Sequence, residues 1–256
     1  MKCTTLLSGS SGNCIFIGGE KTNILIDAGC SAAYLQKALA QMHCSPREIS
    51  AILITHEHND HISGAVHISG KFGIPIYASP LTWKNLPFYE DFLPEERHIF
   101  EYGMEFGELS LDFFRLSHDA CQPVGIVVQE NGRKLAIITD TGTITPSMYR
   151  KVRGADAIFI EANHSRQMLY QGPYPYFLKK RILGDRGHLS NRQAGVALRR
   201  LIGENTKYVV LTHLSQNNNT PETAYREVMD ELALLPEIPC RVSVAPRMSP
   251  HPLLIL

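Results

Sequence analysis

Residues 52–64 read Ile-Leu-Ile-Thr-His-Glu-His-Asn-Asp-His-Ile-Ser-Gly. An apolar run of strand type ends in three histidines mixed with acidic and amide side chains. A surface loop has no need of such crowding, and a core rejects it unless something satisfies the lone pairs. His56 and His58 are two apart, so they project to one side of an extended backbone. Asp60 and His61 follow where the chain must turn into a helix. Four potential ligands so close together strain one tetrahedral ion but can be shared between two neighbouring ions. Imidazole suits zinc, iron and manganese, and carboxylate shifts the balance towards harder ions. A helical zinc-protease motif is excluded, because H-E-x-x-H needs three residues between its histidines and this stretch has one.

A two-ion site needs ligands from elsewhere in the chain. His118 follows an apolar run at Leu109–Arg115, Asp140 follows Leu135–Thr139, and His213 follows Tyr208–Thr212. Each is a polar residue at the carboxyl end of a strand pattern, where open α/β architectures place their sites. One alone is more often a hydrogen-bonded strand-end residue. Three in step with the histidine cluster argue for a metal centre.

The rest of the sequence sets the frame. At 256 residues, 44% hydrophobic and 20% charged, with formal net charge zero, the chain has the composition of a globular protein with a sizeable core. Balanced charge gives no global sign of a nucleic-acid or membrane partner. Six scattered cysteines form no C-x-x-C pair, so a disulfide framework or cysteine-rich zinc site is not expected. No apolar stretch reaches membrane-spanning length and no signal peptide is evident, which leads us to expect a cytoplasmic protein without membrane contact.

Further strands are predicted at Cys14–Ile17, Asn23–Ile26, Ala51–Thr55, Ile74–Ala78, Gly125–Gln129 and Ala157–Ile160. Ser31 caps a helical pattern, Asn191 precedes one over Arg192–Ile202, and Thr220-Pro221 opens one over Glu222–Leu235. These signals follow cap and first-turn preferences. No composition break divides the chain, so one domain over 1–256 is expected. The acidic run Glu90–Glu108 reads as solvated surface. The basic run Lys179–Arg200, with Asp185 as its one acid, is either a solvated face or a phosphate-attracting patch.

The stretch THEHNDHISG resembles the H-x-H-x-D-H signature of the metallo-β-lactamase superfamily, and LIDAG (residues 25–29) resembles its preceding motif. The resemblance spans essentially the whole chain and implies a four-layer αββα sandwich. It implies that His56, His58 and His118 bind one divalent ion. Asp60, His61 and His213 would bind a second, Asp140 would bridge, and Asp27 would support the loop. Zinc, manganese and iron all fit.

Ile160–Ser165 (IEANHS), Gly187–Asn191 (GHLSN) and Leu211–Asn218 (LTHLSQNN) are similar to late motifs of the superfamily's nuclease branch. Together with Ser8–Asn13 (SGSSGN) and Gly172–Pro175 (GPYP), they are most similar to the small YycJ/WalJ type. That type implies a DNA exonuclease acting 5′→3′ through a metal-bridging hydroxide. Asp60, His188 and Glu161 would then be catalytic, with His188 the proton donor to the departing sugar oxygen and Glu161 its orienter. The plain alternative for His188 is a capping or core residue. Ser10, Ser11, Asn13, His164, Lys179, Arg181, Arg186 and Arg192 are candidate substrate contacts. Ser8–Asn13 lacks the Gly-Lys-Ser/Thr ending of a P-loop, so ATP is not implied. The competing readings are a thioester or lactone hydrolase of the glyoxalase or lactonase kind, and an RNA-processing ribonuclease. Neither a cap domain nor a protruding arm is evident.

Overall fold

Apolar strands and the helices that connect them divide the chain into two halves of similar design. The computed structural model describes residues 1–256. In the first half β1 (Lys2–Leu7), β2 (Cys14–Gly18), β3 (Asn23–Ile26), β4 (Ile49–Ile54), β5 (Ile76–Ala78) and β6 (His98–Ile99) lie side by side in that order. The second sheet holds β7 (Gly103–Phe106), β8 (Leu109–Arg115), β9 (Val124–Glu130), β10 (Arg133–Ile138), β11 (Ala157–Glu161), β12 (Tyr208–Thr212) and β13 (Arg241–Val244), also in chain order. A last strand, β14 (Leu254–Ile255), returns to pair with β1.

Each sheet begins antiparallel and ends parallel, the parallel runs being β3 to β6 and β10 to β13. Parallel neighbours need crossovers. In the first sheet these are α1 (Ala32–Ala40), α2 (Asn59–Ile62), α3 (Ala65–Phe72) and α4 (Pro80–Asn85). In the second they are α5 (Pro146–Val152), α6 (Arg166–Gln171), α7 (Tyr176–Leu183), α8 (Asn191–Leu201) and α9 (Pro221–Leu232). None of these helices is long and apolar enough to cross a membrane.

Strand alternation sorts the side chains into three apolar layers. Ile24 and Ile26 of β3 face the other sheet and meet Phe113, Ile137 and Phe159, while Leu25 turns outward with Ile52 and Ile54 onto Leu35, Ile68 and Trp83. In β11, Ala157 and Phe159 enter the inter-sheet core, and Ile158 and Ile160 pack with Met148, Leu198 and Val228. Strands covered on both faces need apolar residues at every position, which is why these segments read as continuous runs. Burying one such side chain stabilises by roughly 1.5–3 kcal/mol. Three apolar layers between two sheets and two sets of helices make the expected αββα sandwich.

Several boundaries differ from the sequence reading. α8 begins at Asn191 and is capped by Ser190, whose hydroxyl accepts from Gln193 N while the Gln193 side chain accepts from Ser190 N. Asn191 is instead buried, donating to Asn219 and Glu227. α9 stops at Leu232, short of Leu235. The acidic run is only partly solvated surface. Glu108 accepts from Lys21 N, Thr22 N and Thr22 Oγ1, tying the β2–β3 turn to the β7–β8 turn. Phe100, within the same run, is buried and stacks on Phe113 at 3.9 Å between ring centroids.

Candidate metal centre

The carboxyl ends of β3, β4, β8, β10, β11 and β12 gather at one edge of the sandwich, and each delivers a candidate residue. Three of these residues leave their strands with left-handed backbones: Asp27 at φ 61°, Asp140 at φ 57° and His213 at φ 54°. Residues other than glycine rarely adopt this region. Such strain costs on the order of 1–3 kcal/mol per residue and collects at functional sites.

The histidine loop is fixed from below by the Asp27 segment. Ala28 N donates to His61 O, Asn13 N donates to Asp60 O, and Gly64 N donates to Ala28 O. The two loops approach so closely that a Cβ at Gly29 would lie 1.8 Å from Asp60 O, and one at Gly64 would lie 1.8 Å from Cys30 O. Glycine at both positions is a packing requirement. Asp27 accepts from Thr55 N and Thr55 Oγ1 through Oδ1, and its Oδ2 lies 2.7 Å from His61 Nδ1.

Other rings are held in the same way. Thr55 Oγ1 lies 3.0 Å from His56 Nδ1, and Gly187 O lies 3.1 Å from His118 Nδ1. In each ring the outer nitrogen is engaged and Nε2 is left facing inward, the arrangement that orients metal-binding imidazoles. The inward atoms converge. Donor atoms of His56, His58 and His118 lie within 4.8 Å of one another, as do those of Asp60, His61 and His213, and those of His56, His61 and Asp140. Asp140 stands between the groups, with Oδ2 3.2 Å from His61 Nε2 and Oδ1 3.3 Å from His213 Nδ1 and 3.9 Å from His118 Nε2.

Two observations test whether a cation suits this space. His56 Nε2 and Asp140 Oδ2 are buried without a hydrogen-bond partner, a state that is costly unless something else satisfies it. Asp140 Oδ2 does face His61 Nε2, but out of hydrogen-bonding alignment. His118 Nε2 and His58 Nδ1 also face each other at 3.2 Å, two ring nitrogens turned to one point. The nitrogen and oxygen donors fit divalent ions, and no cysteine joins any group.

The electrostatics point the same way. Burial pushes His56 well below the ordinary imidazole value. Burial also opposes charge on His61 and His213, yet Asp27 and Asp140 hold His61 well above that value, and Asp140 with Asp60 holds His213 at about 10. Burial would raise Asp140, but His213 and His61 outweigh it and hold the carboxyl well below the carboxylate range. The site draws positive charge into a buried space.

His188 lies beside these groups, with its ring 5.0 Å from that of His118 and 5.3 Å from that of His213. Glu161 takes up its Nδ1 at 3.0 Å, and Glu161 also accepts from Thr141 N and Leu189 N. The β11–β12 register, which sets Glu161 against Thr212, brings Glu161 next to His213. His188 lines a cavity of about 180 Å3 together with Ser10, Tyr174 and Arg181. A larger groove of about 420 Å3, lined by Tyr149, Arg166 and Arg192, holds none of the candidate ligands.

The candidate substrate contacts divide. Ser10 and Arg181 reach the cavity of His188. Arg186 donates to His118 O from Nε and Nη2. Asn13 is committed to the centre itself, its amide nitrogen 3.0 Å from Asp60 Oδ2 and 3.1 Å from His61 Nε2. Ser11 is exposed, and Lys179 donates to Tyr170 O. Two candidates are placed elsewhere. His164 is 0% exposed, so it presents no atom to a substrate, and burial lowers it to about 4. Arg192 turns to α9, where Nε donates to Glu231.

Sequence reasoning missed three supporting residues. Ser8 Oγ accepts from His213 N, Asn163 Nδ2 donates to His213 O, and Asp119 pairs with Arg181. Ser8 and Asn163 stood inside the SGSSGN and IEANHS motifs without an assigned role, and Asp119 was only a polar neighbour of His118.

Comparison with known proteins agrees with this geometry. The chain is 38% identical over 232 residues to the exodeoxyribonuclease YycJ of Bacillus anthracis, covering 90% of this chain and 88% of the relative. It is 38% identical over 237 residues to the exodeoxyribonuclease WalJ of Streptococcus pneumoniae, covering 91% and 88%. Among solved structures, the metallo-β-lactamase fold protein YhfI from Bacillus subtilis superposes with a TM-score of 0.74 at 15% identity, covering 98% of both chains. The model of the metallo-β-lactamase superfamily matches residues 7–213. With that match running from the end of β1 to the last candidate ligand, the chain belongs to the metallo-β-lactamase superfamily.

Proposed function

We propose that the protein is a metal-dependent exodeoxyribonuclease, a phosphodiesterase that removes nucleotides from a DNA end. The observation that carries this reading is the 38% identity, spread over about nine-tenths of the chain, to relatives named exodeoxyribonucleases. The site chemistry is in keeping with it. His56, His58 and His118 would hold one divalent ion, Asp60, His61 and His213 a second, and Asp140 would bridge them. Two such ions clamp a phosphodiester and lower the pKa of a bridging water.

The chain's own groups supply the rest. Asn13 holds the Asp60 carboxylate in place. Glu161 engages Nδ1 of His188 at 3.0 Å, which leaves Nε2 available for a proton bound for the departing sugar oxygen. Such a positioned acid contributes typically 10²–10⁴-fold. Zinc, manganese and iron are the ions we expect in a donor set of imidazoles and carboxylates. We further infer one domain over residues 1–256, a cytoplasmic location and 5′→3′ digestion.

The test is incubation of the purified protein with 5′- and 3′-labelled single- and double-stranded DNA and RNA, with Mn²⁺ or Zn²⁺. Stepwise shortening of DNA from the 5′ end is expected. Hydrolysis of thioesters or lactones with DNA untouched would overturn the reading in favour of a small-molecule hydrolase.

A further inference from the structure

The segment between β11 and α8 carries features that neither the fold nor the metal centre explains. α7 contains no buried residue, although packing of an apolar face is what ordinarily stabilises so short a helix. Its first turn holds Tyr176 and Phe177 in solvent, 81% and 73% exposed, and Tyr170 in α6 is 62% exposed. Lys179 Nζ donates to Tyr170 O and so joins α6 to α7. Isolated exposed apolar residues need no explanation. Three exposed aromatics on one short segment do.

Charge is segregated on the same segment. Between positions 162 and 192 the cations are Arg166, Lys179, Lys180, Arg181, Arg186 and Arg192, and the one acid is Asp185. Arg181 and Arg192 are paired with Asp119 and Glu231 from elsewhere in the chain, which leaves Arg166, Lys179, Lys180 and Arg186 as the unpaired charge. In a chain of zero net charge, this is local enrichment that suits a polyanion. The segment also borders the reaction site, because Tyr174, Leu178 and Arg181 line the cavity that contains His188.

Exposed aromatics interleaved with cations are the pattern that binds single-stranded nucleic acid, with bases stacked on rings and phosphates met by cations. A duplex hides the faces of its bases, so only unpaired bases can use the rings. We propose that Tyr170–Arg181 is a stacking platform for single-stranded DNA. In this arrangement bases lie on Tyr176 and Phe177, Lys179 and Lys180 meet phosphates, and the strand end passes into the cavity beside His188. The proposal rests on the phosphodiesterase reading for its choice of ligand.

The experiment measures anisotropy of a labelled 20-nucleotide single-stranded DNA, the matching duplex and the matching RNA. All proteins carry His188→Ala to slow turnover and are read before the labelled strand shortens, with and without Tyr176→Ala/Phe177→Ala. Stacking of one base is worth about 1–3 kcal/mol, so loss of two rings should weaken single-strand binding by at least tenfold, with an unchanged salt slope. Duplex binding should change far less. Tyr176→Trp/Phe177→Trp should restore affinity, and Lys179→Ala/Lys180→Ala should make the salt slope shallower by about 0.7 for each phosphate no longer neutralised. Tyr102→Ala removes an equally exposed ring, 81%, placed beside Glu101, and should have no effect. Unchanged thermal midpoints exclude misfolding.

Equal single-strand affinity with and without the two rings overturns the platform. If the unmutated enzyme still degrades DNA in that case, the nuclease reading survives it. Absence of both hydrolysis and binding overturns both. Tighter binding of the RNA overturns the assignment to DNA. Loss of binding to vesicles of phosphatidylserine and phosphatidylcholine, with DNA binding intact, would assign the rings to a membrane surface instead.

Discussion

Asp27 Oδ2 sits 2.7 Å from His61 Nδ1, with both side chains removed from solvent. The same carboxylate accepts from the backbone and hydroxyl of Thr55, so one residue fixes both the strand end and the ring that follows it. Asp27→Asn keeps the shape but weakens this grip. Metal affinity should fall about 10–100-fold, the usual effect of losing such an orienting partner. Unfolding stability should fall by about 1–3 kcal/mol from the impaired buried hydrogen bonds. Competition with a chelating dye and a denaturant titration measure the two effects. Unchanged metal affinity would show that His61 needs no support from below.

Asp140 faces His61 through one oxygen and His213 through the other, so it links two groups of donors. Protein purified without chelator should carry close to two equivalents of divalent metal by elemental analysis. Asp140→Ala should reduce that to one or fewer. A wild-type stoichiometry of one, unchanged by Asp140→Ala, would leave a single-ion site at His56, His58 and His118.

The histidine cluster and the strand ends were legible in the sequence because ligand geometry demands particular residue types at short spacing. LIDAG and THEHNDHISG even carried the two glycines on which the close approach of the loops depends. What sequence could not give was the direction of long side chains. Arg192 and Arg181 look equivalent in a basic run, yet one pairs with Glu231 on α9 and the other with Asp119 beside the site. His164 looked like a contact residue because it follows Glu161 in a motif. It turns inward, where neither nitrogen finds a partner. β1 was missed because KCTTLL has no alternation to read, being buried at every position after Lys2.

Glu108 was hidden in a run of acids that looked uniformly solvated. Hydrogen bonds from Lys21 N above all, and from Thr22, hold its carboxyl at about 2 against an ordinary 4.5. A carboxylate whose pKa is depressed on folding stabilises above its unfolded value, and that contribution is lost as pH falls towards the folded value. Glu108→Gln should therefore lower the thermal midpoint at pH 7, and the gap from wild type should narrow steadily below pH 4.5. Scanning calorimetry between pH 7 and pH 3 follows it. A gap independent of pH would mean the charge contributes nothing and only the amide's geometry matters.

His188 and Glu161 present the sharpest choice between chemistry and structure. Their donor atoms also lie within reach of Asp140 and His213, so His188 could be read as one more ligand. The His188 nitrogen that faces Asp140 is Nδ1, 3.7 Å from Oδ1, and Glu161 already occupies that nitrogen at 3.0 Å, which argues for a proton donor instead. His188→Ala should retain its metal and lower kcat by roughly 10²–10⁴-fold. Glu161→Gln should act through the same ring, so the double variant should be little worse than His188→Ala, a departure from additivity expected of residues in contact. The bell-shaped pH profile of the wild type should lose its alkaline limb in His188→Ala, because the group that must stay protonated is gone. A DNA substrate with a sulfur leaving group needs no proton donor, and its cleavage should be nearly unaffected by His188→Ala. If the variant loses metal, or cleaves the sulfur and oxygen substrates with equal impairment, His188 is a ligand or a positioning residue.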